Sequence, residues 1–208
     1  MMLKDSAVNP DPTDTRDGRR IEFLSVGWTS IEALSGIVAG IVAGSIALIG
    51  FGADSVIEVA SSLILLWRLS DHELGAQREG TALKLVGISF LLLAAFVAYE
   101  SVESLVTRQA PRVSYFGMAF SALCLIVMPL LSRAKRRVAA RLHSAALEAD
   151  ARQSSICAYL AAILLGGLAL NALFGWWWAD PLAAVLMVPI IAKEGFEALR
   201  GETCACHP

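Results

Sequence analysis

Asp54 and Glu58 are the residues of this 208-residue chain whose types and spacing most directly imply chemistry. They stand four apart in a run of Ile, Leu, Val, Ala and Gly, so a helix there turns both carboxylates to one side, one turn apart. Gly50 and Ser61 recur at the same helical spacing and lengthen the stripe. An ionised acid at mid-bilayer costs roughly 2.5–3.5 kcal/mol on insertion scales, so acids persist there when they pair, protonate or bind a cation. Two acids on one turn repel unless a proton or a metal lies between them. No basic residue is expected at matching depth. Two readings follow: a protonated pair hydrogen-bonded to adjacent helices, or half of a cation site.

A complementary face lies further along. With Asp150 as reference, Gln153, Ser154, Cys157 and Ala161 fall within about 60° of it on an α-helix. Glu148 and Arg152 point the other way and are expected to form an exposed intrahelical pair. Cys157 is open to two readings, a ligand or a small hydrophobe. Counted from the end marked by Arg68, Asp54 and Glu58 match Gln153 and Cys157 in depth. Glu32 lies on a stripe through Gly36, Gly40 and Gly44, a GxxxG spacing that admits a close helix neighbour, and it can reach the same cavity. Glu100 and Glu103 are expected to be wetted near the outer surface.

These residues need elements to position them, and the composition says which. The chain is 56% hydrophobic and only 17% charged, a balance suited to the bilayer as solvent. Charges collect in the first twenty residues, around 68–84, at 108–112, at 133–141 and near the end, with long apolar stretches between them. The expected fold is all-α integral membrane, with six transmembrane helices near 21–43, 46–68, 84–106, 113–132, 144–173 and 181–199. The first turn is placed at Gly44-Ser45, because a turn at Gly50-Phe51-Gly52 would make the first helix too long and the second too short. The fifth helix exceeds the hydrocarbon thickness, which calls for tilt or a projecting end, eased by Gly166-Gly167.

Lys and Arg fall mainly in segments of one side, including the 133–141 run that holds Lys135, whereas the opposite loops hold only Arg108 and Arg112. Both termini are therefore expected in the cytosol, and the protein in the inner (plasma) membrane. Residues 1–20 read as a disordered cytosolic tail without the apolar core of a secretory signal, 21–200 as the membrane domain and 201–208 as a short cytosolic tail. Trp176, Trp177 and Trp178 suggest an interfacial belt, and Asp180-Pro181 an N-cap and first-turn proline opening the last helix. Cys124 and Cys157 within spans, and Cys204 and Cys206 at the end, suit reduced thiols.

Several classes are excluded on the same footing. With 17 basic against 19 acidic residues there is no global field to recruit nucleic acid. There is no GxxxxGK[ST] phosphate loop for ATP hydrolysis in this chain. The three histidines, His72, His143 and His207, lie outside the spans and no HExxH occurs, which speaks against an intramembrane metalloenzyme.

The segment from Ser45 through Asp54 to Glu58 resembles the second span of the cation diffusion facilitator (cation efflux) family, where an acid, three residues and a second acid supply half of a transport site. Ala146 through Cys157 resembles the start of that family's fifth span, and Trp178-Ala-Asp180-Pro181-Leu the entry to its sixth. The likeness covers roughly residues 21–200, the membrane domain alone. Only a few residues follow the sixth helix, so the family's cytoplasmic domain is expected to be missing. Glu58 stands where the family has aspartate, and the usual His and Asp of the fifth span fall on Gln153 and Cys157. Carboxylate, carboxylate, amide and thiolate can still hold zinc or a softer ion, and Asp150 can supply a further anionic ligand. The segment His72 to Arg78 partly matches the family's His-Pro-x-Gly-His-Gly-Arg stretch, leaving His72 as an accessory ligand or a solvated loop residue. Cys204, Cys206 and His207 can capture a soft cation or form an inert tail.

The resemblance implies secondary export of a divalent transition-metal cation, zinc or a similar ion, from the cytosol in exchange for protons. It also implies a homodimer without a resident cofactor. The rival reading is a membrane metal receptor or partner subunit that binds the ion without carrying it.

Overall fold

The turn between the first two helices sets the frame for the bundle. In the computed structural model, which describes residues 12–70, 75–108, 111–142 and 145–200, the chain is all-helical. Its six helices are α1 (Pro12–Ala43), α2 (Ile46–Ser70), α3 (Gly75–Thr107), α4 (Tyr115–Leu142), α5 (Ala145–Phe174) and α6 (Ala179–Arg200). Gly44 takes the left-handed conformation, with φ at 67°, that a residue with a Cβ adopts at a cost. The Ser45 amide then donates back to the Gly40 carbonyl (3.0 Å), the six-to-one bond that closes a helix C-terminus. The turn therefore falls at Gly44-Ser45 as expected, and Gly50 and Gly52 lie within α2.

The GxxxG stripe of α1 meets α2 backbone to backbone. A Cβ on Gly36 would come within 2.8 Å of the Gly52 Cα, one on Gly40 within 2.6 Å of the Ile49 side chain, and one on Gly52 within 2.6 Å of the Ile37 nitrogen. Small residues at this seam are thus a condition of the packing. α1 also packs on α4, α4 on α5, and α3 on α6. α2 touches α1, α3, α5 and α6, which makes it the central helix and puts whatever it carries inside the bundle.

Burial is inverted relative to a water-soluble fold. Leu24, Leu34, Ile41, Leu92, Phe96, Ile126, Leu130, Tyr159 and Leu173 are exposed, whereas Glu22, Glu32, Asp54, Glu58, Lys135, Asp150 and Asp180 are buried. A surface of large aliphatic and aromatic groups is stable only against an apolar solvent. Five helices contain stretches long and apolar enough to cross a bilayer, in α1, α2, α3, α4 and α5. α6 has 22 residues and carries Asp180 at one end and Lys193, Glu194 and Glu197 at the other, so it is less apolar. The protein is a multi-pass membrane protein.

Helices outrun the hydrocarbon estimate at their polar ends. α1 begins at Pro12, inside the segment expected to be disordered, and α4 continues through the basic run to Leu142 instead of stopping near 132. Hydropathy measures the apolar span, and charged residues with good helix propensity carry the helix beyond it. Residues 1–11, His72, His143 and the Cys204, Cys206 and His207 tail lie outside the described residues.

Asp180 also differs from expectation. It sits within the first turn of α6, and its carboxylate caps α2: the Ser45 hydroxyl donates to Oδ1 (2.5 Å) and the Ala47 amide reaches Oδ2 (3.4 Å). Ser45 Oγ in turn accepts from the Leu48 amide (3.1 Å). The orphan amides of the α2 N-terminus need acceptors, and α6 starts close enough to provide one. Nearby, the Arg112 amide donates to the Ala43 carbonyl (2.7 Å) and the Asn171 side chain to the Pro111 carbonyl (3.1 Å). Trp176 and Trp178 stack with ring centres 5.0 Å apart and remain partly exposed at this end.

Candidate metal centre

Three helices bring the site together. Glu32 of α1, Glu58 of α2 and Cys157 of α5 are all buried, and one ligand atom from each lies within 4.8 Å of the others. Ligands of a tetrahedral zinc ion stand about 3.5 Å apart, so a small inward adjustment of side chains suffices to enclose one. Both Glu32 oxygens and Glu58 Oε2 have no hydrogen-bond partner among the described residues. The Cys124 thiol and the Trp28 indole lie beside Glu32, but neither makes a hydrogen bond of normal geometry to it. Buried oxygens left in this state are costly in an apolar interior and gain by taking a cation or a proton.

The supporting contacts explain the arrangement. Glu58 Oε1 accepts a hydrogen bond from the Ser154 hydroxyl (2.8 Å), which fixes its carboxylate toward α5. The α1 residues Glu22, Ser25, Thr29, Glu32, Gly36 and Gly40 recur at helical spacing and are all buried, so one polar stripe of α1 runs along the interior.

The expected ligands divide into those gathered here and those placed elsewhere. Glu58 and Cys157 meet, although the depth count sets Cys157 level with Asp54 and Gln153 level with Glu58, and Glu32, held as an accessory, is a member of the cluster. Asp54 is buried one turn away on the same face of α2, outside that cluster of three. Gln153 is half-buried one turn before Cys157, with its amide nitrogen unpartnered among the described residues.

Asp150 has a different neighbour. The Lys135 ammonium of α4 bonds directly to its Oδ2, and the Ser62 hydroxyl lies 3.4 Å from Oδ1. Lys135 is itself fully buried, 3.3 Å from Ser154 Oγ and 4.0 Å from Glu22 Oε2. The expectation that no basic residue lies at this depth is thus corrected. Because α4 continues past 132, Lys135 falls on the buried stripe of Ser121, Cys124, Met128, Ser132 and Ala139, while Arg133, Arg136 and Arg137 point outward. That periodicity was the available signal. Glu148 likewise pairs with Arg136 across to α4 (3.9 Å), where an intrahelical pair with Arg152 was expected.

An inside-out helical bundle with acids and a thiol converging at its centre defines a multi-pass membrane protein with a candidate cation site. The chain matches the cation efflux transmembrane domain over residues 23–202, and it belongs to that family, whose members are transporters of divalent cations and not enzymes. It is 28% identical to Transmembrane protein 163 of Xenopus laevis over 204 residues, 95% of this chain and 73% of that one. It is 25% identical over 170 residues to Cation-efflux pump FieF of Shewanella oneidensis, covering 77% of this chain and 57% of the pump. Identity to a cadmium, cobalt and zinc/H(+)-K(+) antiporter of Bacillus subtilis is 24% over 197 residues, 86% of this chain and 60% of the antiporter. The chain therefore spans less than two thirds of the length of the pump and the antiporter.

Proposed function

We propose that this chain is a secondary transporter that exports a divalent transition-metal cation, zinc or a similar ion, from the cytosol in exchange for protons. The observation that carries the reading is the meeting of Glu32, Glu58 and Cys157 in the interior with unpartnered carboxylate oxygens. Two carboxylates and a thiolate are a borderline donor set suited to zinc or cadmium, and Asp54 or Gln153 can complete the shell from one turn away. Because the ligands must be deprotonated to bind, protons and metal compete for the same atoms, and that competition is the physical basis of antiport. The antiporter of Bacillus subtilis bears a name that couples cadmium, cobalt and zinc to protons.

The contact pattern supports alternating access by rocking of one helix group on another, α1, α2, α4 and α5 on one side and the α3–α6 pair on the other. Six transmembrane helices, cytosolic termini, a plasma-membrane location and a homodimer complete the proposal. Asp150 serves as a neighbour of the site, and His72, Cys204, Cys206 and His207 as accessory ligands.

The test is zinc uptake into proteoliposomes with an imposed pH gradient, comparing the wild type with an Asp54→Ala, Glu58→Ala double variant. Gradient-dependent uptake that the double variant loses is the expected result. Undiminished uptake by the variant would overturn the assignment, and tight zinc binding without flux in the wild type would replace it with the receptor reading.

A further inference from the structure

A buried cation is already present next to the candidate metal centre. Lys135 reaches it from α4, and the groups that face its ammonium come from three other helices: Glu22 of α1, Asp150 and Ser154 of α5, and Glu58 of α2 beyond Ser154. The Ser154 hydroxyl bridges the ammonium and the Glu58 carboxylate: it lies 3.3 Å from Nζ and donates to Oε1 over 2.8 Å. Both oxygens of Glu22 lack a hydrogen-bond partner among the described residues, so the cluster holds more carboxyl oxygens than one ammonium fills.

We infer that Lys135 is a tethered cation that competes with the transported metal ion for this cluster, held back from Glu58 by Asp150. The inference rests on the proposed transport site and adds a residue to it. A lysine stem has four rotatable carbons, and an ammonium released from Asp150 can turn past Ser154 to pair with Glu58. Buried pairs of this kind resist loss of one partner, because the orphaned charge must find another. In the wild type, Asp150 acts as the holder that parks the ammonium and leaves Glu58 open to the metal. Its carboxylate is thereby withdrawn from ligation.

This role and direct ligation by Asp150 give opposite results in a double-variant cycle. Zinc binding to the purified full chain is measured by calorimetry for the wild type, Asp150→Asn, Lys135→Met, and the Lys135→Met, Asp150→Asn pair. Asp150→Asn is expected to weaken zinc binding by about tenfold or more, because the freed ammonium moves onto Glu58. The weakening is expected to vanish in the pair, which also removes both Lys135 and Asp150 and so orphans neither of those two, should Lys135→Met alone fail to fold. Equal weakening in Asp150→Asn and in the pair would show that Asp150 is a ligand and overturn the inference. An Asp150→Asn variant that binds as the wild type does would also overturn it. Absence of saturable zinc binding by the wild type would instead remove the transport reading and this inference together.

Discussion

The two ends of the bundle treat their buried polar groups in opposite ways. At the Gly44 end, Asp180, Ser45 and Asn171 satisfy backbone amides, a hydroxyl and a carbonyl, and the chain crossing is tied by the Ala43–Arg112 bond. At the Lys135 end, Glu22 and Asp150 face one ammonium, Glu58 is joined to it through the Ser154 hydroxyl, and both Glu22 oxygens lack a hydrogen-bond partner among the described residues. Satisfied polar networks hold a structure rigid, whereas an underfilled one is stabilised by whatever positive charge arrives. The same chain thus builds a fixed closure at one end and a cluster of underfilled acceptors at the other, with Glu32, Glu58 and Cys157 between them.

Four measurements break or sharpen that contrast, beginning with the largest effect. Glu58→Ala is expected to abolish zinc uptake in proteoliposomes, since Glu58 both belongs to the cluster and links it to the Lys135 end. Zinc affinity is expected to fall steeply as pH is lowered, because each ligand must lose its proton to bind. A titration series showing affinity unchanged or rising toward acid pH would contradict a carboxylate–thiolate centre. Gly52→Leu places a side chain where a Cβ alone would meet the Ile37 backbone nitrogen at 2.6 Å. Backbone cannot yield as a side chain can, so a loss of about 3 kcal/mol, seen as a lowered melting temperature, is expected. Asp180→Ala strands the Ser45 hydroxyl and the Ala47 amide at the rigid end and is expected to cost about 1–3 kcal/mol, read in the same melts. If Asp180→Ala proved harmless while Glu22→Ala melted the protein, the assignment of rigid and receptive ends would be reversed.

Much of the fold was legible in the residue order. The Gly44-Ser45 turn followed from counting back the length of a span from Arg68, and the α1–α2 seam from the GxxxG stripe, because membrane thickness and helix pitch are general constants. The α4 end was not legible in this way. A hydropathy window reads Lys135 as one of several basic residues in a loop, although its helical phase with Met128 and Ser132 marks it as interior. Asp180 misled for a related reason: Asp-Pro is a local helix-start signal, and the α2 N-terminus that uses the carboxylate is far away in sequence.

The sequence by itself determined that an inward stripe of carboxylates runs along a multi-pass bundle, since helix periodicity and the cost of acids in hydrocarbon depend on no partner. Only the tertiary structure decided which partners those carboxylates have. Glu32 joins Glu58 and Cys157, Asp150 takes Lys135, and Asp180 caps a helix other than its own. Helical phase says which way a side chain points, while the identity of what it meets depends on how far neighbouring helices extend and how closely they approach.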